Sequence, residues 1–144
     1  MAFYRTTILL LALTLPAHAA TLFVSHQGDD SDGLSWESAL ISIGGALSGA
    51  SAGDDIWVAS GTYNESIQMV TGVSLYGGFA GTETDEEFEK RNWRTNETTI
   101  DATGLDTSVV IAANEATLDG FTITGGYAAS GAGVLCLGTS PTIE

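Results

Sequence analysis

The sequence predicts an all-β fold, a right-handed parallel β-helix (β-solenoid) with a short N-terminal capping helix. Three observations carry the prediction. After Gly53 the apolar pattern changes from helical to strand-like, in segments too short and too frequent for βαβ units. Segments then begin to resemble one another: Val73-Ser-Leu-Tyr-Gly-Gly-Phe79, Thr99-Ile-Asp-Ala102, Ala116-Thr-Leu-Asp-Gly-Phe-Thr-Ile-Thr-Gly-Gly126 and Pro141-Thr-Ile-Glu144. Each carries an aliphatic, Leu75, Ile100, Leu118 or Ile143, at intervals of 25, 18 and 25 residues. Irregular repeats near this length suit a coil in which strands keep register while turns absorb insertions.

The N-terminus reads as an export signal. One charge, Arg5, precedes the apolar run Ile8 to Leu15, which Pro16 breaks and Ala17-His18-Ala19 closes as a signal peptidase site. The run is far shorter than the roughly 18–20 residues that span a bilayer. The expected organisation is a signal peptide over 1–19, an N-terminal strand and capping helix over 20–53, and the first turns of the coil over 54–144. The expected location is secreted or on the outer cell surface.

The mature part opens with a strand, Leu22 to Ser25, ended by the polar turn Gln27 to Gly33. A helix is expected over 36–49. Ser35 would cap it, Glu37 lies in its first turn, and Trp36, Leu40, Ile43 and Leu47 share one face. Gly44, Gly45 and Gly49 weaken it, so it needs an apolar surface to pack on, and the open N-terminal end of the coil supplies one. Next come a strand from Asp55 to Ala59, a turn at Gly61-Thr62-Tyr63, and strands at Ser66 to Val70 and Val73 to Tyr76. Leu75, Ile100, Leu118 and Ile143 are expected to share one core. Thr99, Asp101, Thr117, Asp119, Thr122 and Thr124 are expected to face outward.

Composition excludes several function classes. With 44% hydrophobic residues, 18 Gly and 2 Pro, the chain is neither disordered nor collagen-like. Four basic residues stand against 18 acidic ones, a formal charge of −14, so nucleic acid and other polyanions are not expected partners. Cys136 is the single cysteine; no internal disulfide forms, and its apolar neighbours place it in a buried strand as an inert thiol.

Candidate chemistry is sparse. Asp29, Asp30 and Asp32 beside Gly33 invite calcium, but Gly28 and Ala39 occupy the first and last ligand positions of the EF-hand pattern, so the cluster reads first as an acidic turn. Asp54 and Asp55 read as the end of a turn. Asp101 and Asp119 follow Ile100 and Leu118, and equivalent places would stack them into a second candidate cation site. Ala80 to Glu97 reads as a surface excursion, with Glu83, Asp85, Glu86, Glu87 and Glu89 followed by Lys90, Arg91 and Arg94. Within it, Trp93 either pins the loop to the wall or stacks on a sugar ring. No catalytic set is identified and no cofactor is required.

The chain resembles the N-terminal part of bacterial right-handed parallel β-helix repeat proteins of the pectin-lyase-like superfamily. The resemblance runs through Phe23-Val-Ser, Gly28-Asp-Asp-Ser-Asp-Gly33, Trp36, Ala52-Gly-Asp-Asp-Ile-Trp-Val58, Gly61-Thr-Tyr63, Tyr76-Gly-Gly-Phe-Ala-Gly-Thr-Glu-Thr84, Arg91-Asn-Trp93, Leu118-Asp-Gly-Phe-Thr-Ile-Thr-Gly-Gly126 and Ser140-Pro-Thr-Ile143. It implies that further turns follow in relatives, so the chain reads as a fragment with an open last turn through which copies associate. Two functions fit. One is a non-catalytic secreted or surface protein, structural, adhesive or glycan-contacting, with an extracellular glycan or surface protein as partner. The other is the N-terminal part of a polysaccharide lyase or glycoside hydrolase whose catalytic turns lie elsewhere.

Overall fold

The computed structural model describes residues 19–144; the expected signal peptide lies outside them except for Ala19. Eleven short strands are present among these residues: β1 Thr21–Val24, β2 Asp55–Ala59, β3 Gly61–Tyr63, β4 Ile67–Gln68, β5 Ser74–Phe79, β6 Thr98–Asp101, β7 Val110–Ile111, β8 Thr117–Asp119, β9 Thr122–Thr124, β10 Val134–Leu135 and β11 Thr142–Ile143. Every pairing between them is parallel. They form three sheets, ordered β1-β2-β5-β8-β11, β3-β6-β9 and β4-β7-β10. From β2 onward the chain visits the first, second and third sheets in turn and then starts again, so each circuit lays one strand on every sheet. The fold is a parallel β fold.

Register follows the inward aliphatics. On the first sheet Leu22, Ile56, Leu75, Leu118 and Ile143 lie in one ladder. On the second, Tyr63, Ile100 and Ile123 do the same. Both ladders feed a single apolar core that also takes Val24, Val58, Ile67, Val73, Val109 and Val110. Burial drives this, since each such side chain contributes about 1.5–3 kcal/mol when removed from water.

Three expectations about the core are corrected here. Ile100 is not the counterpart of Leu75 and Leu118; it lies on the second sheet, opposite Tyr63, although the same core encloses it. Ile143 keeps the register of Leu118 yet is 49% exposed, because β11 has a neighbour on one side only. Gly61–Tyr63 is a strand rather than a turn: it pairs with Thr98–Ile100 and buries the Tyr63 ring. The Tyr63 hydroxyl donates to the Ala59 carbonyl at 3.0 Å, and burial, helped by the nearby Glu65 charge, pushes its pKa well above the ordinary value.

The helix is shorter than expected. Helix α1 spans Ile43–Gly49, with Ser42 as its cap. Residues 36–42 lie outside it because their backbone is used otherwise: Leu40 pairs with Val24, donating to the Phe23 carbonyl at 2.9 Å and accepting from Ser25 N at 2.9 Å. Ser35 and Ser38 bond each other, 2.9 Å apart. Ile43, Ala46 and Leu47 are buried in the main core, and α1 packs on β1, β2 and β4. The Glu65 carboxylate, from the turn after β3, accepts from Ile43 N and Gly44 N at 2.9 Å each, fixing the helix entry to the first circuit.

Two acids at the start of β2 differ in role. Asp54 accepts from Ala20 N and Ser51 N, both at 2.8 Å, and ties the first strand down. Asp55 is partly buried; desolvation raises its pKa, a bond from Ser74 opposes that, and the Asp54 charge adds to it.

Leu75→Ala is expected to lower the unfolding free energy by about 2–5 kcal/mol, against less than about 1 kcal/mol for Ile143→Ala. Urea unfolding followed by circular dichroism measures both, and equal losses would contradict a core centred on the inner circuits. The folded state holds the Asp55 proton more tightly than the unfolded state, so the stability tied to that proton is lost as pH rises above about 3.8. Asp55→Asn should therefore raise the melting temperature at pH 7 and leave it unchanged below pH 3.8. An equal gain at both pH values would show that ionisation of Asp55 is not the cause.

Candidate functional site

The outer face of the first sheet is aromatic, which is unusual for a surface. Phe23, Trp57, Tyr76 and Phe79 point away from the core, with Trp57 and Phe79 stacked at 4.6 Å and 8°. Two segments cover them. Trp36 packs edge-on against Phe23 at 4.7 Å, and Phe88, from the excursion over residues 80–97, meets Tyr76 at 4.9 Å and Trp57 at 5.5 Å. This places Trp36 in an outer aromatic cluster rather than on a helix face. Aromatic pairs of this geometry add about 0.5–1.5 kcal/mol each beyond area burial.

The excursion is therefore packed on the sheet, and Phe88 rather than Trp93 pins it. Its start folds around Glu83, which is 8% exposed and whose carboxylate accepts from Ala80 N, Gly81 N and Thr82 N at 2.7, 2.9 and 3.0 Å. The Glu83 carbonyl accepts from Trp36 Nε1 at 2.8 Å, joining both covering segments. A 3₁₀ helix, Asp85–Lys90, follows; Glu87 accepts from Thr84 N at 3.0 Å and pairs with Lys90, which holds its carboxyl below the ordinary value.

The return of the excursion is set by a bulge in β5. Trp57 pairs with Tyr76 and Ala59 with Phe79, so Gly77 and Gly78 together oppose Val58. Gly78 has φ of +89°, and a Cβ there would stand 2.8 Å from Trp93 N. Its carbonyl accepts from Asn92 N at 2.7 Å and from Asn96 Nδ2 at 3.2 Å, while its N–H donates to Thr98 Oγ1 at 3.0 Å. These bonds hold the backbone on both sides of Trp93.

Arg91 and Trp93 then frame a cleft of about 470 Å³ with Asp119, Phe121, Thr122 and Glu144. The Arg91 guanidinium pairs with Asp119, and their side chains are 12% and 14% exposed. Its central carbon lies 4.7 Å from the Phe88 ring, 5.2 Å from Tyr76 and 5.9 Å from Trp93. Trp93 is 53% exposed. Across the cleft the Thr122 hydroxyl donates to Glu97 at 2.9 Å. A polar rim with one accessible indole and fixed acceptors suits a ligand rich in hydroxyl groups.

The other candidate residues fall elsewhere. Asp101 and Asp119 are not stacked: Asp119 pairs in register with Tyr76 on the first sheet, whereas Asp101 pairs with Thr124 on the second. The error follows from equating Ile100 with Leu118. Asp101 accepts from Thr103 N at 2.8 Å and from its hydroxyl at 2.5 Å, bonds that lower its pKa. In the acidic turn, Asp29 accepts from Ser31 N, Asp30 from Ile41 N and Asp32 from Leu34 N, at 3.0–3.1 Å. The Asp32 pKa is lowered by hydrogen bonds, the Ser38 hydroxyl first and Leu34 N next. Backbone bonds from Asp29 N and Asp30 N to the Glu37 and Ala39 carbonyls fasten this turn to the segment before α1. Among the described residues no group of three or more His, Cys, Asp or Glu is placed to hold a metal ion. Cys136 is exposed rather than buried, because β10 ends at Leu135 and the thiol lies in the turn beyond it.

The Arg91–Asp119 pair was not singled out from the sequence. The signal available was the short basic run beside Trp93, which lacked a partner until the fold supplied one. Glu83→Gln replaces one of two backbone-binding oxygens with a donor, so it is expected to lose about 1–3 kcal/mol of stability. The near-ultraviolet dichroism of the aromatic cluster should weaken with it. An unchanged melting curve would show that the excursion is held by its aromatic contacts alone.

No curated protein and no solved structure matches the chain. A family profile does, over residues 26–144, which takes in the acidic turn, α1, the excursion and every strand from β2 to β11. The chain belongs to that family, described as "Protein of unknown function (DUF1565)".

Proposed function

We propose that this chain folds as an exported bacterial β-solenoid, right-handed and of the pectin-lyase-like kind, that contacts glycans without cleaving them. The cyclic visiting order of the three parallel sheets supports the solenoid, and the resemblance of its segments to right-handed β-helix repeat proteins supports its hand. Export rests on the sequence between Arg5 and Ala19. No helix among the described residues is long and apolar enough to cross a membrane.

One observation carries the glycan reading: Trp93 presents a half-exposed indole at a cleft lined also by the hydrogen-bonding side chains of Arg91, Asp119, Thr122 and Glu144 and by the Phe121 ring. Sugar rings have apolar C–H faces that stack on indole and hydroxyl edges that bond to carboxylate, hydroxyl and backbone acceptors. The bulge at Gly77-Gly78 fixes the indole's backbone before any ligand arrives, which lowers the entropy lost on binding. The non-catalytic reading is supported by the engagement of two of the nearby carboxylates. Asp119 is tied to Arg91 and Glu97 to Thr122, which leaves neither of these two poised as general acid or base. Nothing in this reading requires calcium.

Affinity electrophoresis and tryptophan fluorescence against a panel of neutral and acidic polysaccharides test the proposal, with and without a chelator. At least one glycan should retard the chain and shift its emission, equally in both conditions. Trp93→Ala should weaken that binding about tenfold, equivalent to ~1.4 kcal/mol, while leaving the melting temperature in place. Failure of every glycan to bind, or binding indifferent to Trp93, would refute glycan contact at this cleft. Release of reducing ends or unsaturated uronate would refute the non-catalytic part.

A further inference from the structure

Resting on the glycan reading, we infer that the Trp93 cleft takes neutral sugar rings and rejects uronates. The first reason is the disposition of its cation. Arg91 lines the cleft, but its guanidinium is already paired with Asp119 and enclosed by the Phe88 and Tyr76 rings, with 12% of the side chain exposed. A uronate carboxylate would have to compete for Arg91 with Asp119, itself 14% exposed. That exchange trades one carboxylate for another and leaves Asp119 without its counter-charge in a poorly hydrated place, so it runs uphill.

The remaining cations do not compensate. Lys90 is paired with Glu87, and Arg94 is exposed and does not line the cleft. The rim is acidic instead, with Glu144 in the lining and Glu97 bonded to the lining residue Thr122. Around this lies a chain of net charge −14 that repels polyanions at long range. For a neutral pyranose the same groups are assets. Asp119, Glu144 and the Thr122 hydroxyl are acceptors for sugar hydroxyls, and the Trp93 indole and the partly buried Phe121 ring offer apolar contact.

The test separates local pairing from long-range repulsion. Matched oligosaccharides of equal length are titrated by tryptophan fluorescence at 0.15 M and 0.5 M salt: gluco-, xylo- and manno-oligomers against glucuronate, galacturonate and mannuronate oligomers. At least one neutral oligomer should bind ten times more tightly than every uronate. The preference should shrink but persist at the higher salt, where the general field is screened and the Arg91–Asp119 pair is not. Asp119→Asn releases the guanidinium and should narrow the preference at least threefold by strengthening uronate binding. Should that variant melt early, Glu144→Gln, which lightens the rim without touching the pair, should narrow it by a smaller factor. Uronate binding as tight as neutral binding, or a preference abolished by 0.5 M salt alone, would overturn the inference while glycan contact stood. If neither class binds and the wider polysaccharide panel is also silent, the glycan reading itself falls. If only a panel polysaccharide binds, a neutral one upholds the inference and an acidic one overturns it.

Discussion

Parallel pairing between successive circuits is the constraint on which the rest of this structure depends. Each strand's hydrogen bonds go to the strands one circuit before and after, so an inward side chain has its counterpart a whole circuit away along the chain. The core is thus a set of ladders, Leu22 to Ile143 on the first sheet and Tyr63 to Ile123 on the second, and no strand buries its apolar face alone. What happens between strands is free. The circuit that joins β5 to β6 carries the whole excursion over 80–97, and Leu75 still meets Leu118 in register.

That freedom is used where the first sheet has two apolar faces. Its inner face meets the core, and its outer face carries Phe23, Trp57, Tyr76 and Phe79, a patch that would otherwise meet water. Trp36 and Phe88 close it. The Glu83 carboxylate makes the closing loop self-sufficient by taking three of its own backbone donors, so a buried acid costs the loop no unpaired group. The loop then has to return through the Gly77-Gly78 bulge, and this return delivers Arg91 to Asp119 and leaves Trp93 in the open. The cleft is a by-product of covering an aromatic surface, and the same contacts make it rigid.

Much of this was legible in the residues. Period-2 patterning and the aliphatic ladder of the first sheet pointed to parallel circuits, because burial on a two-sided sheet writes itself directly into alternation. Leu75 and Leu118 are true counterparts. Ile100 was misassigned because its local pattern, Thr-Ile-Asp, is also that of an inward residue on a neighbouring sheet; alternation reports which way a side chain points and not which sheet it belongs to. The error carried into the Asp101 and Asp119 pairing. Trp36 and Leu40 keep helical spacing with Ile43 and Leu47, so periodicity alone extends the helix beyond its true start at Ile43. A bridge from Leu40 to Val24 decided otherwise, and a tertiary backbone bond leaves no trace in local periodicity. Cys136 was placed in a strand by apolar neighbours that lie partly in the turn beyond β10.

The cleft itself was illegible for a different reason. Arg91 and Asp119 come from segments separated by two strand passages, and nothing within either segment names the other as its partner. Their pairing is nevertheless specific: the guanidinium is flanked by Phe88 and Tyr76, so its position is set by ring packing before Asp119 is considered. A partly buried ion pair gains little net stability over an apolar pair of the same volume, because desolvation offsets attraction. Its effect is instead to fix geometry. The placement of the excursion satisfies both the aromatic contacts and the charge, and in it Trp93 stands 53% exposed. Since Asp119 belongs to β8 and Tyr76 to β5, the indole's position is referred to two successive circuits of the parallel stack, and the rigidity of the core ladder is carried out to the mouth of the cleft.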